Sequence, residues 1–182
     1  MKYESYALGA TLYMPVIHPG VSSIVKGETP APAPSIVLCL EDALHEDDVN
    51  RGMHKLLNLL DNIDNQKGPR IYIRPRSFDM ASRLANVKNI RNIDGFVAPK
   101  IRPNNILDWL DLTRRAGISI MPTLESVEYF DPTQVIEIKN AILTSNSTHV
   151  KAIRLGGNDL MNALGLRRTP GITAYDGPLA WV

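Results

Sequence analysis

The sequence predicts a parallel β/α barrel, and three observations carry that prediction. Six short apolar runs recur along the 182 residues, stretches with helical spacing separate them, and polar residues collect where the runs end. The runs are Ala10–Ile17, Ser35–Glu41, Arg70–Arg74, Gly95–Lys100, Ile118–Glu125 and Val150–Leu155. They are continuous rather than alternating, as expected of strands covered on both faces. After the second run, Val49, Met53, Leu56, Leu57, Leu60 and Ile63 share one face of a helix, with Asp47 or Asp48 placed to cap it. Ile106, Trp109, Leu110 and Thr113 form a similar face before the fifth run, and Gly117 is a suitable helix stop. Val135, Ile136, Ile138, Ile142 and Leu143 do the same before the sixth. Strands alternating with helices require a parallel sheet with crossover connections.

An open doubly wound sheet and a closed barrel both fit that alternation. The open sheet would favour a glycine-rich phosphate turn after the first strand, where HPGV and the proline-rich linker Lys26–Pro34 stand instead. The polar residues at the run ends are Glu41-Asp42, Arg74 and Arg76, Lys100, Glu125, and Asn158-Asp159. In a barrel the C-terminal strand ends converge on one mouth, which gathers such residues into a site. A complete barrel has about 250 residues and eight strands. The expectation is therefore an α/β fold of the (β/α)8 TIM type, represented by its first six β/α units. Residues 1–182 would form a single domain, incomplete at the C-terminus; a shorter open α/β domain is the alternative.

Composition narrows the function classes. A net charge of +1, with no basic stripe interleaved with aromatics, gives no case for nucleic acid. No apolar stretch approaches membrane-spanning length, and MKYESY is too polar for a signal peptide. The single Cys39 cannot form an internal disulfide, so a cytoplasmic location is expected. His18, His45, His54 and His149 show no pairing with a nucleophile, although His18 could touch a ligand. Zinc-ligand spacing, an EF-hand loop, a P-loop and a dinucleotide fingerprint are all lacking.

The acids ending the fifth and sixth strands, Glu125 and Asp159, are the sharpest chemical feature. Two carboxylates facing one mouth, with water and substrate completing the shell, suit Mg²⁺, with Mn²⁺ as a substitute. The structural alternative is that both acids sit at helix starts. Arg74 requires an anionic partner if buried, either a substrate carboxylate or a structural pair with Glu41 or Asp42. Glu41 and Asp42 could also orient metal-bound water or Arg74. Lys100 could act electrostatically or extend to solvent. Gly156 and Gly157 would let a ligand approach the backbone, or simply form a turn.

Taken together, LYMPVIHPG, SIVLCLEDAL, RIYIRPRS, DGFVAPKI, MPTLES and RLGGNDLMNALG resemble the HpcH/HpaI aldolase and citrate lyase family, particularly its citrate lyase beta-subunit branch. That resemblance implies Glu125 and Asp159 as Mg²⁺ ligands, and Arg74 as the group holding a substrate carboxylate or oxyanion. It matches Glu41 and Asp42 to the acidic pair of the second strand, and Lys100 to the lysine of the fourth. It implies a metal-dependent carbon–carbon lyase of the aldol or Claisen type, acting on a short 2-oxo or 2-hydroxy carboxylate or its coenzyme A thioester. It also implies a homo-oligomer. A pyruvate-type aldolase acting on free acids and a noncatalytic metal- or metabolite-binding barrel are the alternatives. Pro75-Arg76 departs from the family's usual asparagine-containing continuation, and in LCLED Cys39 or a neighbour stands where an acidic residue is commoner.

Overall fold

The computed structural model describes residues 6–63, 68–145 and 147–182. Its six strands are β1 (Thr11–Pro15), β2 (Ser35–Cys39), β3 (Arg70–Arg74), β4 (Gly95–Ala98), β5 (Ser119–Leu124) and β6 (Arg154–Leu155). They pair in parallel in sequential order, β1 to β6. The connections carry α1 (Val21–Val25), α2 (Val49–Leu60), α3 (Phe78–Ala85), α4 (Ile106–Ala116) and α5 (Pro132–Thr144); α6 (Gly157–Ala163) follows β6. Each connection therefore returns the chain to begin another parallel strand, and the product is a curled run of β/α units belonging to a TIM-type barrel. No helix among the described residues is long and apolar enough to cross a membrane.

Side-chain alternation divides the sheet into two faces. Ile36, Leu38, Ile71, Ile73, Phe96, Ala98, Ile120 and Leu124 pack beneath the helices, against Leu56, Leu60, Leu84, Trp109 and Leu110. The opposite parity places Val37, Tyr72, Val97 and Met121 in a second cluster on the inner face, with Tyr13 and Ala152 beside it. Leu8 joins this cluster from a short turn, and its carbonyl oxygen accepts from Ser35 Oγ at 2.6 Å. Both faces are covered, which explains the unbroken apolar runs. Each fully buried Leu, Ile or Val contributes about 1.5–3 kcal/mol relative to an exposed position.

The α4 expectation holds at all four positions: Ile106, Trp109, Leu110 and Thr113 are buried. Gly117 ends that helix with a left-handed φ of 72°, a conformation glycine adopts without a Cβ penalty. Other helical expectations need correction. Leu57 is exposed and Leu59 buried in α2, while Ile63 lies beyond its end. Asp48 makes no side-chain capping bond; it pairs with Arg51 at 3.1 Å, while His45 Nδ1 accepts from the Asp47 amide. In α5 only Ile138 is buried, and Ile136 and Leu143 face outward. The α1 turn lies between β1 and the proline-rich return to β2, and it buries Val21, Ile24 and Val25.

The sixth run departs most from expectation. Val150 bridges Ile120, whereas Arg154 pairs with Thr123. Three steps along β5 thus match four along the incoming chain, so one extra residue is accommodated as a bulge. The bulge reverses side-chain parity from there to the end of β6, leaving Ile153 exposed and turning Arg154 to the inner face with Thr123.

His149 fastens this region to α4. Its Nε2 lies 3.2 Å from the Leu110 carbonyl oxygen and 3.1 Å from Thr113 Oγ1. Burial lowers its pKa below the usual 6.5, with the Leu110 hydrogen bond opposing that effect. The unfolded chain consequently takes up this proton first as pH falls. The contribution to stability should be complete above 6.5 and diminish as pH falls through that value. Urea midpoints measured from neutral to mildly acidic pH should show a shallower decline in His149→Gln than in wild type. An unchanged slope would count against the His149 contribution.

Candidate active site

The side chains gathered at the strand ends derive from inner-face parity. Arg74 closes β3 two residues after Tyr72, and Glu125 stands just beyond β5, two residues after Thr123. Glu41 continues the same parity beyond β2 from Val37 and Cys39. These positions converge on one guanidinium nitrogen. Arg74 Nη2 lies 2.7 Å from Glu41 Oε2, 3.0 Å from Asp42 Oδ2 and 3.0 Å from Glu125 Oε2. Glu41, Arg74 and Glu125 are buried, whereas Asp42 is exposed. The structural ion pair expected for Arg74 is therefore present, with Glu125 added to both expected partners.

Lys100 reaches the same group from the β4 end. Its amide donates to Glu125 Oε1 at 2.7 Å, and its Nζ lies 3.4 Å from Glu41 Oε1 while the side chain remains 70% exposed. Its φ is 49°, the one positive value at a non-glycine residue among those described. Such backbone conformations cost about 1–3 kcal/mol and require support from their surroundings. The next residue supplies the support: Ile101 N donates to Thr123 O at 3.2 Å, and the Tyr129 hydroxyl donates to Ile101 O. The strained amide thereby stays aimed at Glu125.

Gly156 completes the enclosure. A Cβ at this position would stand 2.3 Å from Glu125 Cβ and 3.0 Å from its Oε2. Register is the cause, because Glu125 and Gly156 lie two residues beyond the Thr123–Arg154 pair. Glycine is needed here to leave room for Glu125. Gly157 borders the Tyr175 hydroxyl, and Asp159 is exposed in the first turn of α6. The Asp159 charge is close enough to Glu125 to raise its pKa.

Burial raises the pKa of Glu125 against the opposing effects of Arg74 and the Lys100 amide. Burial also raises Glu41, assisted by its hydrogen bond with Asp42 and opposed by Arg74. Burial works against the Arg74 charge, but Glu125, Glu41 and Asp42 more than offset it, so its pKa is raised. Four acids, Glu41, Asp42, Glu125 and Asp159, thus share a neighbourhood with Arg74 and the largely exposed Lys100. The oxygen donors and excess negative charge fit a hard divalent cation. Among the described residues no group of three His, Cys, Asp or Glu side chains is already arranged around a metal position. A divalent cation beside Glu125 and Asp159 would therefore take most of its shell from water and substrate rather than from the protein.

Beside the acids, Glu41, Asp42, His45, Arg76 and Lys100 border an open cavity of about 540 Å³. Arg76 braces its wall by donating to the carbonyl oxygens of Leu40, Glu41 and Leu44, the last at 2.7 Å. His18, just beyond β1, accepts from Gly20 N through its Nδ1 at 3.1 Å. Sequence spacing does not single out Tyr13, Thr123 or Arg154 as site residues. Counting alternate positions back from Glu125 finds Thr123, but the bulge hides the orientation of Arg154.

A family model described as a C–C bond lyase of the TIM-barrel fold matches residues 2–182. The chain belongs to this C–C bond lyase family. No curated protein matches it. Among solved structures, the lead(II) complex of Haloferax volcanii malate synthase has 12% identity and a TM-score of 0.66, covering 91% of this chain and 55% of the neighbour. Yersinia pestis RipC has 16% identity and a TM-score of 0.63, covering 93% of this chain and 65% of the neighbour. The HpcH/HpaI aldolase of Desulfitobacterium hafniense has 16% identity and a TM-score of 0.61, with coverages of 96% and 73%. The chain thus spans less than two thirds of the malate synthase and RipC chains, and these likenesses establish shared fold.

The packing of this C–C bond lyase family member around Gly156 can be tested directly. Gly156→Ala should lower stability by about 1–3 kcal/mol in urea unfolding, because the added methyl meets Glu125 rather than open space. An unchanged midpoint would show that Glu125 can move away freely.

Proposed function

We propose that this chain carries the metal and carboxylate site of a carbon–carbon lyase. Its substrate would be a short 2-oxo or 2-hydroxy carboxylate, free or as a coenzyme A thioester. The single observation carrying this proposal is the convergence of Glu41, Asp42 and Glu125 on Arg74, beside Asp159, at the C-terminal strand ends. Family membership supports the reaction class. The Mycobacterium tuberculosis CitE structure contains magnesium and acetate, and a Haloferax volcanii malate synthase structure contains magnesium and glyoxylate; both support the choice of cation and acid.

In this proposal Glu125 and Asp159 hold Mg²⁺, for which Mn²⁺ can substitute. When bound, the cation supplies a Lewis acid that polarises the substrate oxygen beside the scissile bond. Arg74 supplies fixed positive charge where negative charge develops, already oriented by its carboxylate partners. Glu41 and Asp42 position that guanidinium and accept hydrogen bonds from water in the mouth. Lys100 holds Glu125 through its amide and adds charge at the rim through its ammonium. Gly156 keeps the acid's place open, and Gly157 continues the turn toward Asp159. The working form is proposed to be a cytoplasmic homo-oligomer.

Calorimetric titration with Mg²⁺ or Mn²⁺, with and without oxaloacetate, tests the site. Glu125→Gln and Asp159→Asn should each weaken cation binding by about tenfold or more, the equivalent of about 1.4 kcal/mol. Unchanged affinity in both variants would remove the proposed ligands. Arg74→Lys should weaken oxaloacetate binding about tenfold while retaining charge, because lysine lacks the planar fork. Equal oxaloacetate affinity in that variant would exclude the carboxylate-binding role. Turnover of thioesters but not free acids would select the thioester branch; the converse would select the aldolase branch.

A further inference from the structure

Arg154 and Arg74 both face Tyr13, but their electrostatic surroundings differ. Their guanidinium carbons lie 4.8 and 5.9 Å from the Tyr13 ring centroid, respectively. Arg74 is met by three carboxylates. Arg154 makes its cation–π contact with Tyr13, and no carboxylate pairs with it among the described residues. Ring stacking leaves guanidinium N–H donors available at its edge.

The neighbouring strand supplies a second observation. Thr123 is the register partner of Arg154, so their side chains emerge on the same face. Thr123 is 2% exposed, and its Oγ1 has no hydrogen-bond partner. Arg74 Nε is likewise buried without a partner. Buried hydroxyls and guanidinium donors normally find acceptors, since leaving them unpaired carries a desolvation penalty. The bulge before β6 brings Arg154 inward beside Thr123. Without the extra residue, Arg154 would share the helix-facing parity of Val150.

We propose that Arg154 and Thr123 form an inner anion-recognition subsite that selects substrates with a second negatively charged group. Arg154 supplies charge and paired N–H donors, Thr123 supplies its hydroxyl, and Tyr13 holds the Arg154 plane. The second group is a carboxylate or a phosphonate-like oxyanion; both have the required charge and acceptor oxygens. The inference rests on the mouth being the site of the substrate's first carboxylate, and it adds a specificity element deeper in the same barrel.

Calorimetry on the full chain at fixed Mg²⁺ should compare pyruvate, oxaloacetate and phosphonopyruvate. Wild type is expected to bind at least one of the two doubly acidic ligands about tenfold more tightly than pyruvate. A preference for oxaloacetate identifies a carboxylate as the second group, and a preference for phosphonopyruvate identifies a phosphonate. Arg154→Met should abolish that preference while leaving pyruvate affinity unchanged. Arg154→Lys, which keeps charge but loses the stacked fork, should lose most of it and replaces the methionine variant if the latter does not fold. Thr123→Val should weaken doubly acidic ligands yet leave the urea midpoint equal or higher, because it removes an unpaired buried hydroxyl. A merely structural threonine would show no selective ligand effect.

Retention of the preference in either arginine variant, equal binding of all three acids by wild type, or no binding of either doubly acidic ligand would overturn the proposal. The broader site reading fails separately. If Glu125→Gln leaves metal affinity unchanged while the Arg154-dependent preference persists, the inner subsite stands and the metal assignment falls. If metal affinity requires Glu125 but substitution of Arg154 changes no preference, the reverse conclusion holds.

Discussion

The geometry at the barrel mouth depends on Arg74, because a single nitrogen of that buried side chain joins acids from two different strand ends. Removing a charge from the middle of such a group leaves buried carboxylates facing one another, a situation that is strongly destabilising. The group therefore fixes the spacing between the chain beyond β2 and the chain beyond β5. Glu41 and Glu125 still have raised pKa values after Arg74 has acted. Burial penalises the charged form of both acids, and neighbouring carboxylates add to that penalty. Structural cohesion at the strand ends and the proposed ligand chemistry consequently use the same side chains.

The two faces of the sheet divide the physical work. On the helix-covered face, close packing of Ile, Leu, Phe and Ala makes the strands a rigid frame. On the inner face, Val37, Tyr72, Val97 and Met121 form an apolar floor, while positions farther along the strands become polar. A one-residue slip of a strand would exchange these environments. The β/α fold positions Arg74 and Glu125 by making the packing of their apolar neighbours intolerant of such a slip.

Much of this frame is legible in the sequence because apolar runs and helical faces report burial directly. The third run, Arg70–Arg74, is a strand over its full bounds, and Ile106, Trp109, Leu110 and Thr113 all lie on the buried side of α4. Glu41, Asp42, Arg74, Lys100 and Glu125 are legible as strand-end polar residues, and the structure brings them together. What sequence spacing cannot reveal is direction. Ile136 and Leu143 satisfy a hydrophobic pattern yet face outward, and Asp48 has a capping residue's identity without making its bond. The positive φ of Lys100 and the bulge before Arg154 are products of tertiary pairing, for which local composition carries no unique signal.

These two backbone irregularities have a common consequence. At Lys100, strain aims an amide at Glu125; before Arg154, an extra residue exchanges a helix-facing side chain for an inner one. Regular β/α repetition would repeat the frame but would make neither adjustment. Gly156 adds the complementary constraint, because the chain leaving β6 passes so close to Glu125 that a side chain would enter its space. The chemical character of the inner face thus depends on small departures from the repeat as well as on residue type. Arg74 and Arg154 illustrate the result: both present a guanidinium to Tyr13, but only Arg74 is encircled by acids among the described residues. Their different surroundings make Arg74 the organiser of the strand-end acids, while Arg154 keeps its contact with the Tyr13 ring.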